Sequence, residues 1–421
     1  MSKRRIRPWS FVFRALCALP VALWAGAAGA EDLPSPLKPE AVLKYAADHR
    51  AEITAAKSKA AAAAEGPAQA KALPDPMVMV SIDHLPIKFD GVNASLLVQQ
   101  DFPLTNLRGA REKVAEDGAK VAAAQIDTAK LDVEYQALSA YLMVVEAKRM
   151  IAVTDEQLAL AKQVVAVTTA RLSATDPASV DVLRAQLDVV RMEGEKTALE
   201  SDLKSSASML EAALGRPVTG NVPEVELTLP TADPPAQDEL VKKAVDKRPE
   251  LAAMKASLAK AQSGVDQMKA MNGPMAFVRG GGAYTMDGGM GFMLMIGISL
   301  PVWVDKVAAS ENEAKSMAKM ADADVSAMSK MIEGEVASAR QAVISARTRL
   351  STVRDKVLPL AKSVLQLSIA SYASGQTPLL MVLDAEKSVR EARMEEVIAE
   401  MKAAAAWARL GRAVGVVKVG V

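Results

Sequence analysis

The chain has 421 residues, half of them apolar and only 4% aromatic, and its 51 basic residues nearly balance 50 acidic ones. This balance argues against nucleic-acid binding, because domains that bind nucleic acids carry a clear excess of lysine and arginine. Much of the apolar content is alanine, which favours long helices packed closely side by side over a large globular core.

The first 30 residues have the pattern of a secretory signal peptide. Basic residues from Lys3 to Arg7 precede a mostly apolar stretch, and Ala28-Gly29-Ala30 forms a small-residue cleavage site. A transmembrane anchor is the weaker alternative, because Arg14 interrupts an apolar run that is already short. Cys17, the single cysteine, lacks the preceding small residue of a lipoprotein signal. We therefore expect an exported, unlipidated chain that begins after Ala30 and has 46 basic against 50 acidic residues.

The rest of the chain contains an internal duplication of roughly 200 residues. At one constant offset, Asp48, Arg50, Glu52 and Lys57 recur as Asp246, Arg248, Glu250 and Lys255. Near the ends of the halves, Leu214-Gly215-Arg216 aligns with Leu410-Gly411-Arg412. The predicted organisation is a first repeat over 31–215, a proline-rich linker over 216–236, a second repeat over 237–415 and a tail over 416–421.

Both repeats are predicted to contain the same elements in the same order. A helix of about 35 residues precedes two strands joined by a hairpin loop, and an uninterrupted helix of about 68 residues precedes a return helix of about 35. The long helix would span roughly 100 Å. The predicted short helices are 39–72 and 237–271, the strands 77–85, 95–103, 275–286 and 290–300, and the long helices 104–171 and 304–372.

The strand candidates have the length of tilted membrane-spanning strands. In the last one, Phe292, Leu294, Ile296 and Ile298 alternate with smaller residues and methionines, as a lipid face alternates with a lumen face. A closed membrane barrel needs at least about eight strands, so four per chain would require an oligomer, and a trimer would supply twelve. The alternative is a soluble periplasmic β-sandwich above a helical stalk, since Asp83, Gln99, Gln100 and Arg279 are polar.

This layout resembles the TolC or outer-membrane-factor family, most closely its heavy-metal branch. The resemblance includes both repeats, the prolines Pro103 and Pro301 after the strand pairs, and the helix that begins at Arg248-Pro249-Glu250-Leu251. It implies a mainly helical, TolC-like fold whose homotrimer forms a 12-stranded membrane β-barrel continued by an α-helical periplasmic tunnel.

The two breaks between long and return helices resemble the periplasmic turns of that family. The resemblance implies that they form the tip where an adaptor docks, with Arg171, Leu172, Ser173, Ser374, Gly375 and Gln376 as docking residues. It also implies that Asp384 and Asp181 narrow the aperture. Met381 replaces a second aspartate of some members, and no arginine follows Gly375. Alternatively, Asp384 only begins the return helix or pairs with a lysine.

Methionine is abundant, with 22 residues in the chain. Thioethers are soft ligands that suit Cu(I), and Met293 and Met295 would alternate onto the lumen face. The alternative is that methionine fills irregular apolar contacts. No nucleophile triad, phosphate-binding loop or histidine cluster is apparent, so we expect neither an enzyme nor a cofactor.

Together, these features predict the outer-membrane exit duct of a Gram-negative efflux system. The resemblance implies a periplasmic adaptor (membrane fusion protein) and an inner-membrane pump of the resistance-nodulation-division (RND) type as partners, and the strands imply outer-membrane lipid. The expected cargo is a heavy-metal cation such as Cu or Ag. Two alternatives are a channel of the same fold for multidrug efflux or type I protein secretion, and a soluble periplasmic coiled-coil tether.

Overall fold

The computed structural model of the protein describes residues 33–83, 93–172, 178–285 and 288–418. The predicted signal peptide, the first hairpin loop and Ser173 lie outside these residues, and the side chains of Arg171 and Leu172 are not described. The described chain is mainly helical and contains one four-stranded antiparallel sheet. This confirms the predicted mainly helical fold with a small antiparallel sheet, and the trimeric barrel stays a prediction.

In the first half, three short helices lead into two strands, a long helix and a return helix. They are α1 (Pro39–His49), α2 (Ala51–Ala64), α3 (Gly66–Lys71), β1 (Met77–Asp83), β2 (Asn93–Pro103), α4 (Leu107–Leu172) and α5 (Ala178–Ala213). The 66 residues of α4 span roughly 100 Å. The short helices pack along the first part of α4, where Lys71 pairs with Glu112, and α5 packs along its later part, where Lys196 pairs with Asp155.

The second half repeats this order, with its long helix divided in two. Its elements are α6 (Gln237–Lys247), α7 (Pro249–Met271), β3 (Met275–Thr285), β4 (Gly289–Ser299), α8 (Val304–Thr352), a π-helical turn (Val353–Val357), α9 (Leu358–Ala373) and α10 (Leu379–Val414). The two halves pack together through α4 against α7 and α10, while α8 packs against α6, α7 and α10.

The prediction of one unbroken short helix in each half was wrong. Both helices break at equivalent arginines, where Arg50 and Arg248 have extended backbone with ψ near 131° and 117°. At Arg248 the cause is Pro249, since a residue before proline is pushed out of the helical region. Arg50 has no proline after it. Its guanidinium instead donates a hydrogen bond of 2.7 Å to the carbonyl of Ala213 at the end of α5.

The predicted uninterrupted helix over 304–372 is also wrong, because one π-helical turn interrupts it. Pro359 lies in the first turn of α9 and has no N–H to donate to the preceding turn. The helix accommodates the missing bond by widening, and the N–H of Leu358 donates to the carbonyl of Val353, five residues back.

Each return helix ends at a glycine with left-handed backbone, Gly215 (φ 74°) and Gly415 (φ 87°). A Cβ at Gly215 would lie 3.4 Å from the carbonyl oxygen of His49, and one at Gly415 would lie 3.0 Å from that of Lys247. Both glycines therefore contact the helix break of their own half. The residue equivalent to Gly215 is Gly415, and the sequence alignment with Gly411 was one helical turn out of register.

Candidate functional site

The sheet has the strand order β1-β2-β3-β4, and every neighbouring pair is antiparallel. One cross-strand row joins Val80, Leu96, Gly282 and Phe292, and the next joins Val78, Val98, Gly280 and Leu294. Side chains paired in this way share one face of a sheet. The strands of the two halves therefore form one continuous surface.

That face is apolar and open. Phe292 is fully exposed, Leu294 is 73% exposed, and Val80 is 70% exposed. A contiguous apolar surface of this kind marks contact with a partner or a membrane, because monomeric soluble proteins rarely expose one. Its further exposed members are Val78, Ile82, Leu96, Val98, Val278, Ile296 and Ile298.

The opposite face is more polar, and one of its rows joins Met77, Gln99, Arg279 and Met295. The Arg279 guanidinium donates hydrogen bonds of 2.9 and 2.5 Å to the side-chain oxygen of Gln99. The amide of Gln99 in turn donates to Asp101 at 2.8 Å. These polar side chains satisfy one another, so this face suits contact with water.

The turn between α9 and α10 is closed by its own backbone. The N–H of Gly375 donates to the carbonyl of Tyr372 at 3.0 Å, and that of Gln376 donates to Ser371 at 2.9 Å. Gly375 has φ 78°, a left-handed conformation that glycine adopts without strain. Pro378 then precedes α10 in extended conformation and cannot continue the helix.

Asp384 lies in the second turn of α10 and is exposed. It lines an open cavity of about 510 Å³ between α10 and α5, together with Arg184, Asp188, Arg191 and other polar residues. Within the described part of the chain, no ion pair or side-chain hydrogen bond holds its carboxylate, so the alternative of a lysine partner is not observed. Asp181 is half-buried in the first turn of α5 and does not line this cavity.

The profile of the outer membrane efflux protein family matches residues 240–416, from α6 to the end of α10. This match covers the second half of the chain, which is therefore similar to the outer membrane efflux protein family. It is also 22% identical over 360 residues to the cobalt-zinc-cadmium resistance protein CzcC of Cupriavidus metallidurans, covering 85% of each chain. The family resemblance inferred from the sequence is confirmed.

Solved structures of this fold match nearly the whole chain. The outer membrane protein VceC of Vibrio cholerae has a TM-score of 0.73 at 16% identity, covering 90% of this chain and 96% of that one. CusC, whose crystal structures concern folding and transmembrane channel formation, has a TM-score of 0.76 at 15% identity, covering 90% and 92%. Because these identities are low, the matches show a shared fold alone.

The structure places the predicted site residues in two regions. Met293 and Met295 lie on β4, on the polar face of the sheet, and each is 42% exposed. Ser374, Gly375 and Gln376 form the turn at the far end of α9. Among the described residues, no three histidine, cysteine, aspartate or glutamate side chains are grouped as metal ligands. No described helix combines the length and apolar character needed to cross a lipid bilayer.

Sequence reasoning missed Glu386, which is completely buried two residues after Asp384. Neither of its carboxylate oxygens has a hydrogen-bond partner in the described structure. Burial raises the pKa of Glu386 to about 7, and the charge of Asp188 adds to this rise, whereas Arg390 opposes it. A coiled-coil spacing joins Glu386 to the apolar residues Leu379, Val382 and Val389. The burial of Glu386 could therefore have been predicted from its position within this apolar stripe.

Proposed function

We propose that the protein is the outer-membrane exit channel of a tripartite RND-type efflux system, assembled as a homotrimer. The observation that carries this proposal is the sheet, which has one exposed apolar face and two unpaired edge strands among the described residues. Open sheet edges cannot be satisfied in lipid, and closure needs at least about eight strands. Three copies would close a barrel of twelve strands, with the apolar face toward the lipid and the polar face toward the lumen.

The long helices extend the proposed channel into the periplasm. They lead away from the strands, and the turn at 374–378 lies at the far end of α9, while α4 ends at Leu172. We propose that this tip, including Arg171, Leu172, Ser173, Ser374, Gly375 and Gln376, docks a periplasmic adaptor that connects to the inner-membrane pump. Asp384 and Asp181 would narrow the aperture there. The name of the relative CzcC supports a heavy-metal cation as cargo.

The test is conductance of the purified full-length protein in planar bilayers, together with its mass in detergent. We expect a folded trimer that opens ion-conducting pores in the absence of any pump, because the channel is a passive duct. A folded, monodisperse monomer, or a trimer that leaves the bilayer insulating, would contradict the proposal. Recovery from the soluble periplasmic fraction without detergent would instead support the coiled-coil tether.

The Asp384→Asn variant is expected to lose much of the cation selectivity of the pore. One carboxylate from each of three chains would form a charged ring, which concentrates cations in a narrow passage. Asparagine keeps the shape and removes the charge. Reversal potentials in asymmetric salt and block by trivalent cations measure the change, and Asp202→Asn, at an exposed aspartate farther along α5, is the matched control. Unchanged selectivity and block would exclude Asp384 from the constriction.

A further inference from the structure

The polar face of the sheet carries two methionine pairs, one on each edge strand. Met77 and Met79 lie on β1, and Met293 and Met295 lie on β4, with each pair separated by one residue. The strand pairing places Met77 in the same row as Met295, and Met79 in the same row as Met293. All four thioethers therefore extend from the same face, on the two strands that border neighbouring chains in the proposed trimer.

Neither packing nor lipid contact explains three of these side chains. Met77 is 57% exposed, and Met293 and Met295 are each 42% exposed, so they do not fill a core, whereas Met79 is partly buried. They also lie opposite the apolar face formed by Phe292, Leu294 and their neighbours. Exposed methionines on a polar surface suggest a ligand role, because a flexible thioether there gains little from burial.

The spacing of each pair suits the chelation of one metal ion. Residues two apart on a strand point to the same side and lie roughly 7 Å apart. Methionine has three rotatable bonds, which allow two sulfur atoms at this spacing to converge on an ion between them. Thioethers are soft donors that favour Cu(I), and Ag(I) is a soft ion of the same charge.

The positive charge of Arg279 lies beside one of these methionine pairs and bears on which metal ions could bind. This residue pairs directly with Met295 across β3 and β4, and its bonds go to the neutral amide of Gln99. A positive charge beside the site repels every cation, but only a soft ion recovers free energy from sulfur ligation. Hard or borderline divalent ions would lose more by approaching than they gain.

We propose that Met77 with Met79, and Met293 with Met295, are two binding sites for soft monovalent metal ions on the lumen wall, and that such ions are cargo of this channel. The proposal rests on the proposed function, since only a closed barrel makes this face a lumen. It extends that function from heavy-metal cations in general to Cu(I) and Ag(I).

The experiment measures Ag⁺ binding to the detergent-solubilised trimer by calorimetry in nitrate buffer. We expect the unsubstituted trimer to bind two Ag⁺ ions per chain. The double variant Met293→Leu with Met295→Leu should bind one, and the variant with all four methionines replaced by leucine should bind none. Leucine has a similar volume and no donor atom. The control is Met143→Leu with Met209→Leu, which removes two exposed thioethers from α4 and α5 and should leave binding intact.

Two further measurements keep the site and the channel distinguishable. X-ray absorption of the Cu(I)-loaded unsubstituted trimer should show sulfur ligation, a result that does not depend on any variant folding. Ag⁺ should also reduce single-pore conductance, and the fourfold variant should need at least tenfold more Ag⁺ for the same reduction. Absence of conductance without Ag⁺ would refute the channel. Conducting pores with unchanged Ag⁺ binding in the fourfold variant, or with equally tight Zn²⁺ binding, would refute the methionine sites.

Discussion

Replacing Val80 with arginine is expected to prevent assembly of the protein in the outer membrane. Val80 lies near the middle of β1 and is 70% exposed on the apolar face, in the row that ends at Phe292. An arginine on the lipid side of a barrel costs about 2–4 kcal/mol at the centre of the membrane. A trimer would carry this cost three times. The expected result is loss of the trimer band in unheated gels and loss of outer-membrane recovery.

Ser81→Arg is the matched control, because Ser81 is the next residue on the same strand and its side chain lies on the opposite face. A lumen position can keep an arginine in contact with water, so this variant should still assemble. If Val80→Arg assembled as well as the unsubstituted protein, the apolar face would not meet lipid. The same experiment separates the barrel from a soluble β-sandwich, because a β-sandwich would be recovered neither in the membrane fraction nor as a trimer.

The strands could be predicted from the sequence because their alternation is strong. The alternation of apolar residues with a period of two predicted that Phe292 and Leu294 share one face, and they do so in the structure. The order of strand pairing could not be predicted from any one strand. It places Met77 in the same cross-strand row as Met295, and Met79 in the same row as Met293. Pairing across 180 residues depends on register, which local sequence does not specify.

The helices were predictable in extent but not in continuity. Pro249 and Pro359 are local signals, and both breaks beside them could have been inferred from proline chemistry. The break at Arg50 has no proline beside it, and α2 begins directly after it at Ala51. The side chain of Arg50 donates a hydrogen bond to the carbonyl of Ala213, more than 160 residues away, a contact that local sequence does not specify.

At the tip, too, only part of the candidate site could be predicted from the sequence. The turn around Gly375 was readable from its glycine and proline, whereas the role of Asp384 depends on where three chains converge. The Arg390 guanidinium lies 3.4 Å from the Asp188 carboxylate and so connects α10 to α5. No local sequence pattern predicts this ion pair. The docking residues and the aperture residues therefore stay predictions, and the Asp384→Asn experiment tests the aperture.

The packing of α10 near this tip is expected to weaken as the pH rises from about 4.5 to above 7. The cause is Glu386, whose pKa is raised from an ordinary value of 4.5 to about 7, first by burial and then by the charge of Asp188. The folded protein therefore binds a proton that the opened form has released. Stability is fully present below pH 4.5 and falls as Glu386 ionises without a hydrogen-bond partner.

A shift of this size corresponds to about 3 kcal/mol per chain in the free energy of opening around Glu386. Glu386→Gln keeps the shape and cannot ionise, so it should remove most of the pH dependence and protect the tip at pH 8. Hydrogen exchange of the amides in residues 379–389, measured at pH 5 and pH 8 and corrected for intrinsic rates, reports this opening. Glu391→Gln, at an exposed glutamate of the same helix, is the control. Equal pH dependence in the Glu386→Gln and unsubstituted proteins would show that Glu386 does not titrate in this range.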